Sequence, residues 1–114
     1  MATLQLSSPS YVVSNPKTFE IDSLQEGQAL VCLNSFDYGM ILFRKGKDVV
    51  ALSNLFKHFF EQSQSIHLDF SKPSQRAVSI KNPSEYYKGM QQIFPYYFEK
   101  NYGYKWAVFT FNDS

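Results

Sequence analysis

The sequence predicts an α+β domain, a small antiparallel sheet with two amphipathic helices in the order β-β-β-α-β-β-α-β. Three observations lead there. Short apolar runs recur between turn signals built on Gly, Asp and Lys, which is the punctuation of strands. Two longer segments carry apolar residues at helical spacing, each opened by a capping residue. Hydrophobic residues make up 44% of the 114, with 11 Phe and 8 Tyr, enough for a core without a metal or disulfide staple.

Residues 1–18 are rich in Ser, Thr and Asn and contain Pro9 and Pro16. They read as a loose N-terminal arm, with Tyr11, Val12 and Val13 as a candidate edge strand, and residues 19–114 read as the single α+β domain. The first strands are expected at 30–33 after Gly27, at 40–43 after Gly39 and at 49–52 after the turn Arg44, Lys45, Gly46, Lys47. Their spacing suggests an antiparallel meander in which Gly46 supplies the positive φ of a tight hairpin. Ser53 or Asn54 then caps a first helix of about eleven residues, its apolar stripe being Leu55, Phe56, Phe59 and Phe60. Two further strands are expected at 66–70 and 77–81. Asn82, Pro83 and Glu85 open the second helix as cap, first-turn proline and first-turn acid. Tyr86, Met90, Ile93 and Phe94 fall on one stripe of it, and Pro95 ends or kinks it. The last strand is expected over 104–111.

The strands do not alternate apolar with polar. Residues 40–43 and 106–109 are apolar on both faces, the pattern of strands covered on both sides. One cover can be the helices and the other a partner, so an aromatic-rich protein interface is the leading functional expectation. It includes self-association as a homodimer, an adaptor, or a small inhibitor of another protein. Tyr, Trp, Phe and Met are the residues that gather at interface centres.

Single-stranded nucleic acid is the alternative partner. The net charge is only +1, but residues 44–105 hold ten Lys or Arg against five Asp or Glu. Arg44, Lys45 and Lys47 cluster at the Gly46 turn. Tyr86, Tyr87, Lys88, Tyr102, Tyr104 and Lys105 mix rings with cations, the combination that single strands exploit by stacking, and Trp106 extends the series.

An enzyme is the least supported class. His58 and Glu61 stand three apart on the polar side of the first helix, and His67 and Asp69 share one face of a strand. Either pair would need a cleft and perturbed pKa values to do acid–base work. No nucleophile elbow, phosphate loop or dinucleotide fingerprint accompanies them, and no cofactor is expected. Two histidines and one cysteine do not make a metal set. Cys32 sits in an apolar run and reads as a small core hydrophobe, in keeping with a reducing, cytoplasmic setting. No membrane span or secretory signal is expected either.

Overall fold

The protein is described from a computed structural model over residues 2–5, 9–33, 41–52, 65–68 and 77–113. Its strands are β1 (Ala2–Gln5), β2 (Tyr11–Val13), β3 (Gln28–Cys32), β4 (Ile41–Lys45), β5 (Asp48–Leu52), β6 (Ser65–Leu68), β7 (Ala77–Ile80) and β8 (Trp106–Asp113). They form one antiparallel sheet in the order β6-β1-β8-β3-β4-β5-β7, with β2 also paired to β8. The meander β3-β4-β5 is present, and Gly46, at φ 63°, makes the two-residue turn between paired Lys45 and Asp48. The eight residues of β8 organise the rest. One edge pairs with β3 from Trp106 to Thr110. The opposite edge holds β2 at 106–108 and β1 at 111–113, two short strands end to end.

The α+β class and the antiparallel sheet agree with the sequence, but the expected order of elements does not. Two strands precede the expected series: β2, at the Tyr11–Val13 edge strand that the sequence suggests, and β1, which it does not mark, so the N-terminal segment pairs on both sides of Pro9. Proline lacks the N–H that a ladder needs, so it separates β1 from β2 without preventing either. The first predicted helix, with Phe59 on its apolar stripe, lies outside the described residues. One α-helix, α1 (Pro83–Ile93), is found among the described residues, followed by 3-10 turns at Pro95–Phe98 and Lys100–Tyr102. No helix among them is long and apolar enough to cross a membrane.

Register explains where the core lies. Val13, Trp106 and Cys32 form one cross-strand row, and Val108, Leu30 and Leu42 form the next. All six are buried in one cluster with Tyr87, Tyr97 and Phe98 from the helical side. The opposite face carries Phe109, Ala29, Phe43 and Val50 in a row, a small residue between two large rings. These four are also buried, at 8% exposure or less. The central strands are therefore covered on both faces within a single chain. Their two-faced apolar character leaves no open sheet face there for a partner.

Candidate functional site

Helix α1 presents Glu85, Tyr86, Lys88, Gln92 and Ile93 to solvent. Asn82 caps it, its side-chain oxygen accepting from the Glu85 N–H at 3.3 Å, and Pro83 fills the first turn, where a missing N–H does no harm. At the other end the Phe94 N–H bonds the Met90 carbonyl at 2.8 Å and Pro95 stops the helix. Tyr87 is the buried anchor. Its hydroxyl donates to the Pro16 carbonyl at 2.6 Å, and its ring stands edge-on to Phe98 and Trp106 at 5.4 and 6.5 Å. Burial raises the Tyr87 pKa well above the ordinary tyrosine value, and Cys32 adds to the effect.

The buried stripe is thus Tyr87 with Met90 and Phe94 beside it, not the predicted Tyr86 and Ile93. Tyr86 is 41% exposed and Ile93 69% exposed. Both stripes satisfy the helical period; they differ by a small rotation. The ring contacts and hydrogen bond of Tyr87 set the phase, and the two displaced residues become an apolar flank facing water. Burial raises the Tyr86 pKa as well, so its ring is partly shielded.

The other side of α1 borders an open groove of about 400 Å³, closed opposite by the segment 17–22. Lys17, Glu20, Asp22, Ser84, Lys88 and Gln91 supply its polar lining. Lys17 forms an ion pair with Glu99, and the Gln91 amide donates to the Lys17 carbonyl at 3.5 Å. The lining carries both signs of charge.

The other predicted site residues are dispersed. Trp106 is buried, stacked on Phe98 at 4.9 Å with its indole N–H bonded to the Tyr97 carbonyl at 2.8 Å. Tyr104 is half-buried against Tyr97 at 4.6 Å. Lys88 and Tyr102 are exposed. Lys45 and Lys47 are exposed on the β4–β5 hairpin, whereas Arg44 turns to the sheet face of Leu42 and Val49 and donates to the Lys47 carbonyl at 3.4 Å. The three cations of the turn therefore do not share one face. His67 lies in β6 opposite Thr3; His58, Glu61 and Asp69 lie outside the described residues. Among the described residues no group of three or more His, Cys, Asp or Glu is placed to hold a metal.

The outward flank of α1 was not legible as a surface, since Ile93 reads as core by spacing alone. Compared with known proteins, the chain matches no family model, no curated protein and no solved structure.

Proposed function

We propose that the protein is a non-catalytic binding module that engages a protein partner through α1. The exposure of Ile93 at 69%, on one flank with Tyr86, carries this reading. The central strands argue by contrast: both of their faces are filled from within the chain, so the apolar surface left on the helix, like that of Val12 and Tyr102, is not a general failure to build a core. The groove on the opposite side of α1, with Lys88 and Asp22 at its lining, faces away from that flank and is a separate polar feature.

A standard interface takes about 800 Å² from each partner. α1 is 11 residues long, or about 16 Å, so it supplies the centre of such a contact and not its whole area. Among the described residues, Tyr86 and Tyr87 have raised pKa values through burial, the wrong direction for a base or nucleophile at neutral pH. Nucleic acid draws less support than the sequence alone suggests. Tyr87 and Trp106 present no ring to a base, and the cations of the 44–47 turn point to different faces.

The experiment is an affinity capture with the parent protein and with the double variant Tyr86→Ala, Ile93→Glu, reading bound protein and bound nucleic acid by mass spectrometry and sequencing. A protein partner held by the parent and lost by the variant is expected. Retention of every partner by the variant sinks the assignment to α1, and recovery of nucleic acid alone restores the alternative.

A further inference from the structure

The two walls of the groove between α1 and the segment 17–22 are fixed to each other. The Tyr87 hydroxyl donates to the Pro16 carbonyl at 2.6 Å, the Gln91 amide donates to the Lys17 carbonyl at 3.5 Å, and Lys17 pairs with Glu99. The turn on the far wall is closed by its own bonds. The Ser23 N–H and hydroxyl both donate to the Glu20 carbonyl, at 3.0 and 2.6 Å, and Ile21 is buried in the core. Glu20 and Asp22 therefore flank a buried residue, while Ser84 and Lys88, four apart on α1, share the facing wall. Phe19, edge-on to Tyr87 at 6.3 Å, supplies apolar lining. A preformed space of about 400 Å³ with an apolar part and a few charged groups has the size and make-up of a small-molecule site.

Its charges define what it takes. Lys17 is occupied by Glu99, but Glu20, Asp22 and Lys88 form no ion pair among the described residues. Two carboxylates on one wall and one ammonium on the other are complemented by a ligand with two cations and one anion. We propose that the groove binds a free amino acid with a basic side chain, arginine or lysine. Its α-ammonium and side-chain cation meet Glu20 and Asp22, and its carboxylate meets Lys88, with the Ser84 hydroxyl as a further donor. The methylenes of its side chain cover Phe19, as long cationic side chains cover apolar surface elsewhere. A nucleotide or an acidic amino acid would set added negative charge against two carboxylates. Since Glu20, Asp22 and Lys88 are exposed, each ion pair contributes little, and the Kd is about 0.1–1 mM. The inference does not rest on the flank of Tyr86 and Ile93, which lies on the other side of α1.

The test is a titration of isotope-labelled protein with L-arginine, followed by backbone amide shifts in NMR spectra at low salt. Amides of 17–22 and 84–91 should move along one saturating curve. Agmatine, which lacks the carboxylate, and Nα-acetyl-arginine, which lacks the α-ammonium, should each bind about threefold or more weaker. L-glutamate should not bind. Lys88→Ala should weaken arginine and leave agmatine as it is, whereas Asp22→Asn should weaken both, with the Tm of each variant unmoved because the side chains are exposed. No saturation by about 10 mM arginine overturns the proposal. So do shifts scattered over the surface, equal affinity for arginine and agmatine, or a Lys88→Ala protein that binds arginine as the parent does. The ligand series is read on the parent protein and decides the matter even where a variant fails to fold. Partner capture by the Tyr86 and Ile93 flank is measured without arginine, so the two readings fail separately.

Discussion

Burial of the Tyr87 phenol ties the stability of this protein to alkaline pH. An unfolded chain releases the Tyr87 proton near the ordinary pKa of 10.0, whereas the folded chain keeps it because burial, and then Cys32, raise the folded value. Above that pH the folded state binds more protons than the unfolded one, so stability falls as pH rises; below it the contribution is fully present. Denaturant titrations from about pH 8 to 11 should show this loss in the parent and a smaller one in Tyr87→Phe. Equal slopes would remove the assignment. At neutral pH the same variant strips the Pro16 carbonyl of its donor and should cost about 1–3 kcal/mol. Gly46 offers a second check at this scale. An added Cβ there meets nothing within 4 Å, yet φ is 63°. Gly46→Ala should therefore cost about 1–2 kcal/mol through backbone strain alone, read as a lower urea midpoint. Gly89→Ala, inside α1 where φ is ordinary and a Cβ meets nothing within 4 Å, has the opposite expected sign, so the two glycines together isolate the effect of backbone conformation.

At the scale of elements, the two candidate stripes of α1 make a quantitative contrast. Tyr87→Ala should cost about 3–5 kcal/mol, as loss of a buried ring does. Ile93→Ala should stay within about 0.5 kcal/mol in the same urea titration, as an exposed substitution does. The reverse order would put Ile93 back in the core. The sequence carries the existence of α1 plainly, because Asn82, Pro83, Glu85 and Pro95 are local signals at its two ends. It does not carry the rotation of the helix, because that is decided by Phe98, Trp106 and Pro16, which are distant in sequence or in a different element. The meander was legible for a similar reason: Gly27 and Gly46 punctuate it. β1 was not, since a four-residue strand gains its place only from β6 and β8, sixty or more residues away. Of the candidate site, Lys88 and Tyr102 could be read as surface, while the sequence assigns Tyr86 to the buried stripe and Tyr87 and Trp106 to the binding surface, because no local mark distinguishes a buried ring from an exposed one.

At the scale of the molecule, Cys32 is a built-in reporter. It is fully buried at the end of β3, between Trp106 on one side and the start of the helical cluster on its face. A thiol reagent should label it only through opening of the sheet, at a rate that rises with urea in parallel with global unfolding. Rapid labelling in native buffer would show that β3 and β8 part locally, and would contradict the burial described. The same two strands impose an order in time. β8 follows in the chain every strand that it pairs with, and Leu30 finds Val108 only after 78 further residues have been added. At roughly 5–20 residues per second of synthesis, β3 therefore waits roughly 4–16 s for its neighbour. Until then β3 can pair only with β4, through Val31 and Ile41, Leu30 and Leu42, and Ala29 and Phe43, and its other edge, from Gln28 to Cys32, stays without its ladder partner.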